Sequence, residues 1–221
     1  MQRSHVGYEA LSEYKRANEI AANSRIAQLD RDVYAMGVGN DKLDSIFACL
    51  PSATTAQEAL DNSHKLLELS VDSRIRDQIP AVNSIKKLYD LLYDARFYDN
   101  YEYKAELRNA FLHADLILYT ISEAHSVFRS GLMDKESYNT WAAYVADVGA
   151  HPLFLLSVYN AHRYGYIDAD FAYEIREILV NNKKTRMVVA TLYSEMFEDK
   201  KWAYSVGKEG IGKHKPTKYA K

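Results

Sequence analysis

The 221-residue chain is long enough to bury a sizeable core in one domain, and its 48% hydrophobic and 26% charged residues are ordinary for a globular protein. A single cysteine, Cys49, excludes an intrachain disulfide and fits a reducing compartment; no apolar run approaches the roughly 20 residues of a membrane span, and no apolar signal core is present at the N-terminus. The formal net charge of −2 argues against a broadly basic nucleic-acid-binding surface. From the single cysteine and the lack of a signal core we expect a cytoplasmic globular domain.

A first long helix is predicted over residues 4–36, because apolar residues recur there at helical spacing opposite a charged face. The predicted inward stripe consists of Leu11, Tyr14, Ala17, Ala21, Ala27 and Val33. The sequence Gly37-Val38-Gly39-Asn40 predicts the turn that ends this helix. Residues 41–50 predict a short helix that Pro51 stops.

Two signals mark the next helices. Thr55 and Glu58 have the spacing of a capping box, which predicts a helix running to about residue 69. Pro80 is typical of the first turn of a helix, so the following helix is expected to begin there. Its predicted inward face consists of Val82, Ile85, Leu88, Tyr89 and Leu92.

An aromatic cluster follows, in a chain whose 18 tyrosines are well above the usual number. Its members are Tyr89, Tyr93, Phe97, Tyr98, Tyr101 and Tyr103. One interpretation places these rings at the rim of a helical core, since tyrosine buries a large ring while its hydroxyl seeks a partner. The other is an exposed surface that binds a protein partner, because tyrosine is enriched at binding hot spots.

The strongest helical pattern runs over residues 99–129 and predicts a central helix about 45 Å long. Its apolar seam consists of Leu107, Phe111, Ala114, Leu118, Ile121, His125 and Phe128. Asp99 and Glu102 have capping-box spacing, and Gly131 is placed to close the helix in the left-handed conformation. His125 is the one polar seam residue, so it is either a core-edge histidine or a ligand-contacting, titrating one.

Two similar turns, Gly131-Leu132-Met133-Asp134 and Gly165-Tyr166-Ile167-Asp168, predict helical hairpins in which glycine ends one helix and aspartate caps the next. Between them Pro152 predicts a helix start, and residues 153–159 are nearly all apolar, which predicts a buried helix. Thr185 is placed to cap a last helix reaching about Phe197.

The chain ends in a basic segment. Residues 200–221 hold seven lysines against Glu209 alone, a net charge of +6, which leaves −8 on residues 1–199. We therefore predict a helical domain over 1–204 and a glycine- and lysine-rich tail over 205–221, either solvated, docked back on the acidic body, or in contact with a polyanion. The candidate polyanion contacts are Lys208, Lys213, Lys215 and Lys218.

The sequence contains no phosphate-binding loop, dinucleotide fingerprint, nucleophile elbow or paired Glu-x-x-His motif. We therefore expect an all-α single-domain bundle of about seven or eight helices, without cofactor or metal, that acts as a non-catalytic interaction or regulatory protein binding a protein partner or a second copy of itself. One alternative is a helical enzyme or small-ligand-binding protein with a pocket near His125 and Trp141. A second alternative is nucleic-acid association through the tail.

Overall fold

The computed structural model describes residues 3–37, 53–70, 73–92 and 101–208. The protein is 80% helical, with nine α-helices and no strand among the described residues, which confirms the all-α prediction. The helices are α1 (Arg3–Gly37), α2 (Ala56–Ser70), α3 (Ile85–Leu92), α4 (Tyr101–Arg129), α5 (Lys135–Val148), α6 (Pro152–Tyr164), α7 (Ala169–Asn181), α8 (Arg186–Leu192) and α9 (Ser194–Glu198). Two 3-10 helices span Ser73–Gln78 and Trp202–Ser205.

Helix α4 is the central element, as the sequence predicts. It contacts α1, α2, α5 and α6, so most of its circumference is covered. Its buried side chains are Ala110, Ala114, Ile117, Leu118, Thr120, Ile121, Ala124 and His125. The predicted seam from Ala114 to His125 is therefore the face that enters the core, whereas the predicted cap Asp99 lies outside the described residues.

Helix α6 forms the second half of the core. Residues 153–159 are all buried, as predicted, and α6 contacts α2, α3 and α4. The break between α5 and α6 is short. Pro152 is the first residue of α6, and the Nδ1 atom of His151 accepts a hydrogen bond from the Leu153 amide at 3.2 Å. Proline is tolerated at this position because its missing N–H would have no helical partner there.

Both predicted glycine–aspartate turns form. Gly131 and Gly165 have φ angles of +69° and +73°, the left-handed region that costs glycine least. Asp134 accepts a hydrogen bond from the Ser137 amide at 2.8 Å, and Asp168 accepts one from the Phe171 amide at 2.7 Å. Each turn thus satisfies orphan backbone groups at the end of one helix and the start of the next.

The capping box at the start of α2 is also confirmed. The Glu58 amide donates to the Thr55 hydroxyl at 3.1 Å, and the Thr55 amide donates to the Glu58 carboxylate at 3.2 Å. The Thr54 amide and hydroxyl also donate to the Glu58 carboxylate, and these two hydrogen bonds, with a smaller contribution from the Thr55 amide, hold the pKa of Glu58 below its ordinary value.

One predicted helix start is wrong, and one predicted capping hydrogen bond does not form. Helix α3 begins at Ile85 rather than at Pro80, because the hydroxyl of Ser84 accepts a hydrogen bond from the Lys87 amide and so caps the helix there. Thr185 stands at the start of α8, but its buried hydroxyl donates to the Leu179 carbonyl at 2.5 Å instead of capping. The predicted single last helix is divided at Tyr193 into α8 and α9.

The extent of α1 agrees with the prediction, but its buried face does not. Tyr14 of the predicted stripe is 68% exposed, whereas Ile26 is buried and flanked by the half-buried Ala22 and Leu29. The spacings of four and three residues between these positions mark the true contact face. The helix carries apolar residues on two sides, and its contact with α4 selects one of them.

None of the described helices has, taken singly, the length and apolar composition of a membrane span. Helices α5 and α6 meet those criteria only when they are taken together, and the chain bends by 112° at the break between them. The predicted helix at 41–50 and its flanking turns lie outside the described residues.

Candidate functional site

The predicted aromatic surface is only partly described. Tyr89 is a core residue: it is 8% exposed, its hydroxyl lies 3.1 Å from that of Tyr164, and its ring centroid lies 5.3 Å from that of Tyr159. Tyr93, Phe97 and Tyr98 lie outside the described residues, and Tyr101 and Tyr103 belong to the first turn of α4 without described side chains. For these five residues the hot-spot hypothesis stays a prediction.

The predicted ligand residue His125 is buried between α4, α5 and α7. Its ring centroid lies 5.4 Å from that of Phe171 and 6.2 Å from that of Tyr138. Burial lowers the pKa of His125, and the nearby Glu174 carboxylate partly offsets this effect. Trp141 is half-buried against the core. Neither residue lines either of the two cavities described next, so a ligand role for them stays a prediction.

The first cavity is a groove of about 270 Å³ between α4 and α6, here called the α4–α6 groove. It is lined by Asp115, Leu118, Tyr119, Ser122, Asn160, Ala161, Tyr166 and Ile167. The four residues from α4 are spaced by three and four positions, so they form one face of the helix. The left-handed turn at Gly165 places Tyr166 across from them. The walls are therefore mainly apolar, with a few polar groups at the edge.

Two exposed tyrosines stand at the rim of the α4–α6 groove. Tyr119 is 48% exposed and Tyr166 is 74% exposed. The Arg25 guanidinium of α1 donates to the Tyr119 hydroxyl at 3.1 Å and to the Glu123 carboxylate at 3.0 Å, which connects Tyr119 to α1. The Tyr166 ring is stacked with that of Tyr164 at 5.9 Å. Rings held before binding lose little conformational entropy when a partner packs on them.

Asp115 supplies the one ionisable group of the groove lining apart from tyrosine hydroxyls. The residue is exposed and contributes to the groove lining. Burial of that carboxyl raises the pKa of Asp115, and the neighbouring Ser157 hydroxyl acts in the opposite direction. A carboxylate that has lost solvation in this way gains from an added positive charge nearby. The groove therefore favours an apolar group with a cation beside it.

The second cavity, here called the polar pocket, has a volume of about 260 Å³ and lies on the other side of α6. It is lined by Tyr159, His162, Arg163, Tyr193, Glu195, Asp199, Trp202 and Ser205. The rings of His162 and Trp202 are stacked at 4.0 Å, and His162 Nε2 lies 2.7 Å from the Trp202 carbonyl oxygen. The Trp202 indole donates to the Tyr193 hydroxyl at 3.2 Å. The floor of the pocket is thus rigidly connected.

Arg163 is the basic group of the polar pocket. Its guanidinium carbon lies 5.4 to 5.9 Å from the ring centroids of Tyr89, Tyr159 and Tyr164, within the range of a cation–π interaction. Nη1 donates to the Tyr159 hydroxyl at 3.2 Å, and Nε is buried without a hydrogen-bond partner among the described residues. Among the described residues, the nearest carboxylate is that of Asp90, whose Oδ1 lies 4.0 Å from Nη1.

Neither cavity was predicted from the sequence. Tyr119 follows Leu118 of the predicted seam, and its place just off the seam is the signal that it is exposed. Tyr166 directly follows Gly165 in the turn between α6 and α7. Its place in a turn between two helices is the signal that it is exposed. The residues of the polar pocket come from α6 and from 193–205, and no spacing along the chain brings these segments together.

The start of the predicted tail is part of the folded domain. The Gly207 amide donates to the His162 carbonyl at 2.8 Å, and a Cβ at Gly207 would lie 3.4 Å from the Cα of Gly165. Lys208 is exposed at the end of the described residues, and the other predicted polyanion contacts, Lys213, Lys215 and Lys218, lie outside them. Polyanion binding by these lysines stays a prediction.

No cluster of three or more histidine, cysteine, aspartate or glutamate side chains suited to a metal ion occurs within the described part of the chain. Comparison of the chain with protein-family models, with curated proteins and with solved structures found no match.

Proposed function

We propose that this protein is a non-catalytic interaction protein that binds a segment of another protein in the α4–α6 groove. The observation that carries the proposal is the pair of exposed, pre-positioned tyrosines, Tyr119 and Tyr166, at the rim of an apolar groove. Tyrosine is among the residues enriched at binding hot spots, and hot spots cluster at well-packed pockets.

The size of the groove supports a side chain as its occupant. About 270 Å³ is below the roughly 300–1,000 Å³ typical of pockets that enclose a drug-sized ligand. Because the walls are apolar and Asp115 stands at the edge, the proposed partner segment inserts an apolar side chain and places a lysine or arginine beside Asp115. The alternatives of a ligand pocket at His125 and Trp141 and of nucleic-acid association through the tail are not favoured by a comparable observation.

The experiment compares groove variants with an exposed tyrosine elsewhere. Tyr119→Ala and Tyr166→Ala are expected to reduce partner affinity by about 30-fold or more, since a hot-spot truncation costs at least about 2 kcal/mol. Partners are captured from the native cell by tagged protein, identified by quantitative mass spectrometry, and their affinities measured by calorimetry with purified components.

Tyr14→Ala is the matched control, because the exposure of Tyr14 lies between those of Tyr119 and Tyr166 and Tyr14 is not part of the groove lining. Its affinity for the partner should equal that of the unaltered protein. Asp115→Asn should weaken binding less than either tyrosine change, and the remaining binding should depend less on salt. A partner retained equally by all four variants would contradict the proposal.

A further inference from the structure

Helix α1 has an outer face that stays exposed in the folded chain. Its inner face, marked by Ala22, Ile26 and Leu29, is the side that packs toward α4. On the opposite side, residues spaced alternately by four and three positions form a row, here called the outer row. Such spacing is the heptad pattern of a helix that pairs with another helix. The members of the outer row, all exposed, are Glu13, Ala17, Ile20, Ser24, Ala27 and Arg31.

The outer row is small and mostly apolar in its middle and carries opposite charges at its two ends. Ile20 is 59% exposed, and the methyl side chains of Ala17 and Ala27 leave room for a second helix to approach closely. Glu13 is negative at one end and Arg31 is positive at the other. Arg31 donates to the neutral Gln28 side chain at 2.8 Å, which does not neutralise its charge.

The order of residues in the outer row is complementary to its own reverse. When two copies of α1 lie antiparallel, with a two-fold axis at the level of Ala22, Glu13 of each copy is opposite Arg31 of the other. In the same register Ala17 is opposite Ala27. A two-fold interface requires this reciprocity, in which residue i meets residue j and residue j meets residue i.

The charges select one orientation of the two helices. A parallel pair in register would place Glu13 beside Glu13 and Arg31 beside Arg31 of the second copy, and like charges repel. An antiparallel pair displaced by one heptad would separate Glu13 from Arg31. The exposed Arg16 and Asp30 flank the outer row on one side, where the unshifted antiparallel register brings Arg16 of one copy toward Asp30 of the other.

We propose that α1 pairs antiparallel with α1 of a second copy of this chain through the outer row. From residue 13 to residue 31 the row is about 27 Å long, and its side chains are small, so the interface belongs to the low end of interface sizes. The dimer is therefore expected to dissociate on dilution. The outer row shares no residue with the lining of the α4–α6 groove, so this proposal does not depend on the function proposed for that groove.

Charge reversal tests the pairing in the full-length protein. Sedimentation equilibrium at concentrations up to the order of 100 µM should show a reversible dimer. Glu13→Arg and Arg31→Glu, made separately, should each weaken dimerisation at least about tenfold, because each creates like-charge pairs at both ends of the interface. The protein with both changes should recover the original affinity, since every opposite-charge pair is restored. Glu198→Arg, at an exposed glutamate of α9, is the matched control and should leave dimerisation unchanged.

Disulfide trapping tests the orientation. In a Cys49→Ser background an introduced cysteine is the only one in the chain. Proteins carrying either Ala17→Cys or Ala27→Cys should form a disulfide-linked dimer when they are mixed and oxidised, because a disulfide requires Cβ atoms within roughly 3.5–4.5 Å. Neither protein should form one alone, since each position faces the other position across the interface.

Three results would overturn the proposal. The first is a protein that stays monomeric over the whole concentration range. The second is a dimer that the single charge reversals do not weaken, or that the double reversal does not restore. The third is efficient disulfide formation by either cysteine variant alone, which would indicate parallel helices.

Discussion

Among Gly131, Gly149, Gly165 and Gly207, Gly149 is the glycine whose surroundings leave the least room for a side chain. An added Cβ would lie 2.1 Å from the Leu179 Cδ2 atom, 2.7 Å from the Val145 carbonyl oxygen and 3.2 Å from the Thr185 Cγ2 atom. Its backbone is in the ordinary right-handed region, with φ at −67°. Glycine is required here for space and not for conformation.

Gly149→Ala is expected to lower the free energy of unfolding by about 1–3 kcal/mol, because the core must move to accept a methyl group. Gly131 provides the contrast: nothing lies within 4 Å of its added Cβ, but its φ is +69°. Gly131→Asn should therefore be tolerated better than Gly149→Asn, since asparagine accepts the left-handed conformation. Urea denaturation measures both, and equal losses at the two sites would contradict this interpretation.

His125 makes stability depend on pH in a direction that its burial determines. Its folded-state pKa is lowered from the ordinary 6.5, chiefly by burial, so the unfolded chain binds a proton that the folded protein resists. The stability contribution is present above the unfolded pKa and is lost as pH falls below it. Glu174, Asp168 and Asp170 moderate the effect, and Arg129 adds to it.

We expect the free energy of unfolding to fall between about pH 7 and about pH 5, and His125→Gln to flatten that slope. Denaturant titrations across this range, on both proteins, measure the difference. An unchanged slope would show that other groups dominate the pH dependence.

The helical hairpin turns are where local sequence determines structure most completely. Glycine supplies the left-handed end, aspartate supplies the cap, and both turns form as predicted because every interaction involved spans only a few residues. The start of α3 and the division at Tyr193 were not predictable in this way. Pro80 permits a helix start without requiring one, and Tyr193 leaves the helix where its ring contacts Tyr159 and Trp202, residues distant in the chain or in another element.

Asp168→Ala should lower the free energy of unfolding by about 1 kcal/mol, the usual cost of losing a helix cap. Asp168→Asn should keep most of the stability that the cap provides. The cap hydrogen bond to the Phe171 amide, at 2.7 Å, is available to an amide oxygen as well as to a carboxylate. Thermal denaturation of both variants distinguishes them. A similar loss in both would assign the effect to charge instead.

The face of α1 shows why an element can be predicted while its packing is not. Apolar residues lie on two sides of this 35-residue helix, and periodicity alone does not say which side meets α4. The candidate sites have the same origin. Tyr119 and Tyr166 line one groove, and Arg163 and Asp199 line one pocket, only through the folding of distant segments.

At the scale of the whole molecule, residues 205–207, the first of the predicted tail, pack against the helical domain. Ser205 donates to the Trp202 carbonyl at 2.6 Å, and Gly207 is bound to His162 and packed on Gly165. Gly207, one of the glycines that predict an irregular tail, makes a close backbone contact with Gly165 of the helical domain.

Two truncations test this boundary. The protein ending at Tyr204 should be less stable than the protein ending at Lys208 by about 1–3 kcal/mol, because the Gly207 hydrogen bond and the packing of Val206 are lost. Denaturant unfolding of the pair isolates the contribution of residues 205–208. Equal stabilities would return the boundary to residue 204.

Helix α6 lies between the two candidate sites. Asn160 and Ala161 line the α4–α6 groove, while the adjacent Tyr159, His162 and Arg163 line the polar pocket. A small rotation or shift of this helix changes both cavities at once. Any resulting coupling is reciprocal: if occupancy of the polar pocket alters the affinity of the α4–α6 groove for a partner by some factor, occupancy of the groove alters the affinity of the pocket by the same factor. One buried helix would thus couple the two cavities.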